Sequence, residues 1–385
     1  MDNSATTCVL PDVVREMLPY YTKKYGNPSS LHYLGEEAEN AITKARTTIA
    51  KAINASASEI IFTGSATEAN NIAIYGIALA GKKNGKTHLI TSAIEHSAAL
   101  NPMKRLEKQG FELTILPVDS EGFIDTTRLE NAINEKTALV SIIHANHEIG
   151  TIQNLREIGK ICREKGVPFH TDSAQGFTKT ELDVKAQNID MVTLNSHKIH
   201  GPKGVGALYI RSGIKLEKVF DGGPQEFDIR PGTENVPAIV GFAKAVEIGM
   251  RDYEQNTAHM RSLRNMLIDG LLSIENTHLN GPKGKNMDKR LPNNANITFK
   301  YIEGEAIVLS LSMHGICVST GSACSSHALQ PSHILTAIGL RHEDAHGSIR
   351  YSLSRFNTKE EVEYVIEKTR AVVEKLRKIS AFVPQ

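Results

Sequence analysis

No sign of charge predominates in this chain: 44 lysines and arginines against 43 aspartates and glutamates leave a formal net charge of +1. The electrostatic footprint that nucleic-acid binding needs is therefore missing. No apolar run approaches the roughly 18 residues of a membrane span. The opening MDNSATTCVLPDVV has neither the basic nor the apolar region of a signal peptide. The four cysteines, Cys8, Cys162, Cys317 and Cys324, are scattered without C-x-x-C spacing, which argues against a zinc site and a disulfide framework. Internal repeats and low-complexity segments are absent. No G-x-G-x-x-G follows the first predicted strand, so a dinucleotide-binding dehydrogenase is a poor reading. These absences leave a cytoplasmic protein with free thiols and no metal site.

What the chain does have is length and alternation. At 385 residues, 40% hydrophobic, it can bury a large core and, on length alone, form about two domains. From about residue 33 to 211 amphipathic stretches alternate with short apolar runs. The predicted strands are 59–63, 88–92, 113–118, 138–144, 167–172, 191–194 and 205–211. Helical patterns such as 155–165 lie between most of them. This predicts βαβ units, hence an α/β fold with a mostly parallel sheet and helices on both faces. A long helical region is expected over 236–274. Beyond it, short strands at 295–299, 317–320 and 349–353 mix with helices at 305–313 and 359–378, which predicts a smaller α+β domain. The lysine-bearing stretches 81–86 and 283–290 read as solvated turns.

Ligands of open parallel sheets bind at the carboxyl ends of the strands. Five predicted strands end in unusual polar residues: Gly64-Ser65-Ala66-Thr67, Glu95-His96, Asn146-His147-Glu148, Asp172 with Gln175, and His197-Lys198. A lysine that can form an imine and a carboxylate that can hold a pyridinium nitrogen are the two groups a pyridoxal phosphate site needs most. Lys198 and Asp172 supply them. Ser65-Ala66-Thr67 opens a helix, where backbone N–H groups and a hydroxyl suit a phosphate; an ordinary N-cap is the competing use. His96 suits acid–base work near neutral pH, Arg350 a substrate carboxylate, and Cys324, in a small polar stretch, an accessible nucleophile. Cys8, Cys162 and Cys317 sit in apolar or helical contexts and read as packing residues.

At these residues the chain resembles the cysteine desulfurases of the NifS/IscS group, within the class V aminotransferase family. The likeness runs through DNSATT, GNPSSLH (26–32), ATEANN (66–71), EIGTIQ (148–153), HKIHGPKGVGALY (197–209), GTENVPAIVG (232–241), STGSACSS (319–326) and SIRYSLSRFNT (348–358). It implies a fold-type-I pyridoxal 5'-phosphate enzyme with a large domain over 15–260 and a small domain from 1–14 and 261–385. By resemblance, Lys198 carries the cofactor and moves the substrate α-proton. Asp172 pairs with the pyridine nitrogen, Gln175 with the ring hydroxyl, and His96 stacks on the ring and exchanges protons with sulfur. Ala66, Thr67 and His197 hold the phosphate, with Thr233 from the other subunit of a homodimer. Asn195 and His147 belong to the cofactor pocket, Arg350 and Asn146 to the substrate, and Cys324 takes the sulfur.

The implied reaction converts L-cysteine to L-alanine and a Cys324 persulfide, feeding iron–sulfur assembly through a scaffold protein or another sulfur acceptor, tRNA thiolation included. Cys324 is also the one candidate for a transient iron–sulfur ligand. Several positions depart from the family pattern: His147 for asparagine, Asn195 for serine, Ser173 for alanine, Pro231 for serine, and Gly64-Ser65 for the reverse order. Two rivals remain open on sequence: a selenocysteine or related C–S lyase, and a cofactor-free sulfur-transfer or interaction protein.

Overall fold

The computed structural model describes residues 1–320 and 331–380. Seven strands form the central sheet: β1 (Ile60–Thr63), β2 (His88–Ser92), β3 (Glu112–Leu116), β4 (Thr137–Ser141), β5 (Phe169–Asp172), β6 (Met191–Asn195) and β7 (Gly206–Ile210). Their order is β1-β7-β6-β5-β4-β2-β3. Only β7 runs against its neighbours, pairing antiparallel with both β1 and β6. The other pairs are parallel, so six carboxyl ends meet at one rim. All seven predicted strands are present, within a few residues at each end.

The strands read as continuous apolar runs because both faces are covered. Every residue of β1, β2 and β4 to β7 is buried. Ile60 and Phe62 join the core on one side of the sheet, while Ile61 joins the core on the other. Only β3, at one edge, has exposed residues, Glu112 and Ile115.

A second sheet holds β8 (Thr277–Leu279), β9 (Asn294–Phe299), β10 (Ser319–Thr320) and β11 (Ser348–Ser352), ordered β10-β11-β9-β8 and antiparallel throughout. Its apolar core is separate and includes Ile297, Phe299, Ile349 and Tyr351, with Leu267 and Val373 from two long helices. One of those helices, Lys359–Ile379, starts at a capping box between Thr358 and Glu361. Among the described residues, no helix is long and apolar enough to cross a membrane.

Four expectations change. The helix expected over 236–274 is two, Val236–Arg251 and Tyr253–Leu272, broken at Asp252, whose φ of −115° and ψ of 29° are not helical. Strand β8 has no clear apolar signature and was not expected. Arg290 is not a solvated turn residue. It is 1% exposed, with its guanidinium donating to the carbonyls of Pro282 and Asn280 and the amide oxygen of Asn294. Cys8 and Cys317 are exposed, since each lies in extended chain where side chains alternate: Ile316 and Val318 point inward and Cys317 outward. Cys162 is packed as expected, and burial pushes its thiol up to about 12.

Candidate active site

At the rim where the parallel strands end lies a cavity of about 330 Å³. Its lining takes in Ala66 and Thr67, His96, His147, Asp172 and Gln175, Asn195, His197 and Lys198, together with Arg350 from the second sheet. The five strand ends singled out in the sequence thus converge on one space.

Asp172 ends β5, and its carboxylate is 4% exposed. It accepts from the Ala174 backbone N–H at 2.9 Å and from Asn70 Nδ2 at 2.7 Å. Asn70 is one helical turn beyond Ala66, on the buried face of the helix Ala66–Lys82 among Ala69, Ile72 and Ala73. The sequence reading missed this residue, although a polar side chain on an otherwise apolar helix face was the available signal.

The amino end of that helix is capped by Ser65, which accepts from Glu68 N–H at 3.1 Å. It lies hard against β7: a Cβ on Gly206 would come within 2.8 Å of the Ser65 backbone. Glycine at 206 lets the helix start reach the rim. Its first turn, with Ala66 and Thr67, lines the cavity, and helix starts favour anions.

Lys198 follows β6, and its ammonium donates to the carbonyls of Ser4 and, at 2.8 Å, Ala5. Gln175 Nε2 donates to the same Ser4 carbonyl at 2.9 Å, and Lys179 donates to Gln175 Oε1 at 3.3 Å. The chain's first residues are therefore part of the wall, which the sequence reading did not anticipate. Burial, with Lys198 nearby, pulls Lys179 down to about 7. His197 is lowered to about 4 by burial and by Lys198, Lys203 and Lys179. Asn195 fixes it by accepting from its backbone N–H.

His96 caps the helix Ser97–Glu107 by accepting from Ala98 N–H at Nδ1. Its neutral ring therefore carries hydrogen on Nε2. Burial lowers its pKa, partly offset by Asp172. The His147 ring meets it edge to face at 5.0 Å. Burial, then His96 and Arg350, holds His147 well below the usual imidazole range. Arg350, on β11 and 4% exposed, donates to Asp2 at 2.9 Å and to the His147 carbonyl at 3.4 Å.

Two expected residues lie elsewhere, and a third is outside the described chain. Asn146 is fully buried but off the cavity wall. Its amide donates to Ile94 O and accepts from the N–H groups of Glu148 and Ile149. Thr233 is exposed and does not line this chain's cavity. Cys324 lies outside the described residues.

Buried polar atoms without a partner gather round the cavity: Ser4 Oγ, Asn70 Oδ1, His147 Nδ1 and Arg350 Nε. Unpaired buried groups are rare in native proteins, and several around one cavity mark a place built for a polar ligand. A lysine, a carboxylate at a strand end and a helix start lining it match the aldehyde, pyridine nitrogen and phosphate of pyridoxal phosphate. Fold and site together define a pyridoxal phosphate enzyme of fold type I.

Comparison with known proteins places the chain more closely. The aminotransferase class-V family model matches residues 1–365. A cysteine desulfurase IscS of Methanosarcina thermophila is 50% identical over all of this chain and 94% of its own length. The cysteine desulfurase IscS 1 of Archaeoglobus fulgidus is 48% identical over 98% of both. Among solved structures, a NifS-like protein superposes with a TM-score of 0.91 at 39% identity, covering 97% of this chain and 99% of that one. A structure of SspA in complex with cysteine gives 0.81 at 37% identity, covering 93% and 99%. The chain belongs to the class-V aminotransferase family.

Proposed function

We propose that this protein is a pyridoxal-phosphate-dependent L-cysteine desulfurase, releasing L-alanine and leaving a persulfide on Cys324. The observation that carries this reading is the meeting of Lys198, Asp172, His96 and Arg350 around one cavity. Likeness to proteins named cysteine desulfurase over the full chain supports it, as does the solved relative described in complex with cysteine.

When bound, pyridoxal phosphate supplies an electron sink conjugated to the substrate α-carbon. Lys198 holds the cofactor, Asp172 its ring nitrogen, Gln175 and His147 its hydroxyl edge, and Ala66, Thr67 and His197 its phosphate. Arg350 orients the cysteine carboxylate, exchanging Asp2 for it. Lys198 takes the α-proton and later returns one to carbon. The Cys324 thiolate attacks the substrate sulfur. A sulfur–sulfur bond forms, the carbon–sulfur bond breaks, and its electron pair stays on the carbon that becomes the alanine methyl. His96, with hydrogen on Nε2 because Nδ1 accepts from Ala98 N–H, exchanges protons with sulfur through Nε2.

Chain length limits where Cys324 can act. It is four residues beyond Thr320, hence within about 14 Å of it by extended-chain reach, and Ser319 pairs with Arg350 across β10 and β11.

The wider reading is a homodimer in the cytoplasm, with Thr233 completing the partner's phosphate site. It passes sulfur to an iron–sulfur scaffold or another acceptor, thiolated tRNA pathways included. The division into 15–260 and 1–14 with 261–385 is supported by the separate apolar cores.

The test is the visible spectrum of the cofactor-loaded protein before and after L-cysteine, paired with Cys324→Ser. A cysteine-dependent spectral shift in both proteins, with sulfide release only in the wild type, is expected. A protein that cannot be loaded would overturn the reading. Selenocysteine turnover that survives Cys324→Ser, with cysteine turnover lost, would point to a selenocysteine lyase.

A further inference from the structure

The described chain resumes at Pro331, seven residues after Cys324 in the sequence. It is held there at once. Ser332 is 6% exposed and caps the helix His333–Ala337, its oxygen accepting from the N–H groups of Ile334 and Leu335. Those bonds occupy the hydroxyl's acceptor side, so its single hydrogen goes elsewhere. It goes to Glu148 Oε2, at 2.6 Å and buried. Next to it, His333 Nε2 donates to the Glu95 carbonyl at 3.0 Å. Ile334 and Leu335 pack on Ile94, Ile143 and Ile149, the backing of the cavity wall.

Glu148 is the joint of this arrangement. Its Oε1 lies 3.7 Å from His147 Nε2, the ring that lines the cavity and meets His96. Its backbone carbonyl accepts from Asn294 and Asn296 on β9. One buried glutamate thus connects the imidazole pair and Ser332 through its carboxyl and the second sheet through its backbone carbonyl. An ordinary helix cap needs only Ser332. The carboxyl beneath it, turned toward the imidazole pair, has no part in that.

Resting on the desulfurase reading, we propose that Glu148 is a positioning residue for the sulfur-accepting step: through Ser332 it fixes the chain eight residues beyond Cys324. Upstream of Cys324 the chain is fixed independently, where Ser319 and Thr320 pair with Arg350 and Ile349. Breaking the Glu148–Ser332 link leaves cysteine binding intact and slows sulfur transfer to Cys324.

The experiment separates binding from transfer. Cofactor-loaded wild type, Ser332→Ala, Ser332→Thr, Glu148→Gln, the Glu148→Gln/Ser332→Ala double variant and Cys324→Ser are titrated with L-cysteine by absorbance. Persulfide on Cys324 is then followed by mass spectrometry in single turnover. Expected for Ser332→Ala is unchanged cysteine affinity with persulfide formation slowed tenfold or more. Ser332→Thr, which keeps the hydroxyl, should restore the rate. The double variant should be no slower than the slower single one, because both changes break the same link. Wild-type persulfide formation in Ser332→Ala, with Cys324→Ser inert, overturns this proposal alone. So does an equal loss of cysteine affinity and persulfide rate, the mark of a merely structural cap. If Cys324→Ser still turns over at the wild-type rate, the Cys324 reading falls and takes this proposal with it.

Discussion

Asn70 places its amide nitrogen 2.7 Å from Asp172 Oδ2, both buried residues of the cavity wall. A hydrogen bond to a buried charged group contributes about 1.5–3 kcal/mol. Asn70→Ala should therefore weaken pyridoxal phosphate binding roughly tenfold to a hundredfold, since the carboxylate loses the donor that aims it. Equilibrium titration of the apoprotein, followed by absorbance, measures this. An unchanged dissociation constant would mean Ala174 N–H alone suffices.

Lys198 is the residue expected to hold the cofactor covalently. Borohydride reduction of the loaded protein should fix pyridoxyl to a single peptide containing Lys198, and Lys198→Ala should fix none. Label on Lys179, a half-buried lysine nearby, would reassign the role.

Arg350 is enclosed, with Asp2 as its anionic partner. Arg350→Ala should raise the KM for cysteine about a hundredfold, in line with about 2–5 kcal/mol for removing one member of a buried charge pair. Cofactor affinity should stay near wild type. A fall in kcat with KM unchanged would place the arginine outside substrate binding.

Acid should destabilise the fold. Burial holds His144, His170, His197 and His200 near 4, below the ordinary 6.5. Each depressed histidine stabilises the fold fully above about pH 6.5 and loses that contribution as pH falls toward 4, because the unfolded chain binds the proton first. Glu95 and Glu148, raised to about 8 and about 7, act oppositely: their folded forms keep protons the unfolded chain releases above about pH 4.5. The histidines outnumber them. The urea midpoint should therefore fall between pH 6.5 and 4.5, and a rising midpoint would contradict the balance.

Much of this was readable from residues alone. Uninterrupted apolar runs gave away the strands of the large sheet, because strands covered on both faces need no alternation. Polar residues at five strand ends gave away the rim. What stayed hidden depends on distant contacts. Nothing local about Arg290 says that it will be sealed against the carbonyls of Pro282 and Asn280. Asn146 looks like a site residue by its neighbours, yet its amide is spent on the turn it sits in. Three-residue β8 carries too few side chains for a pattern, and the break at Asp252 lies in chain that reads as helical on either side. The Ser4 and Ala5 carbonyls are backbone atoms, and a sequence does not say where its backbone will lie.

The wall formed by those carbonyls bears on when the pocket can exist. Asp2 bridges to Ser352, and Ser4 and Ala5 meet Lys198. Those three residues therefore dock only on strands that both sheets have already formed. The pocket closes when segments distant in the chain have met, so cofactor loading reports on the two sheets together.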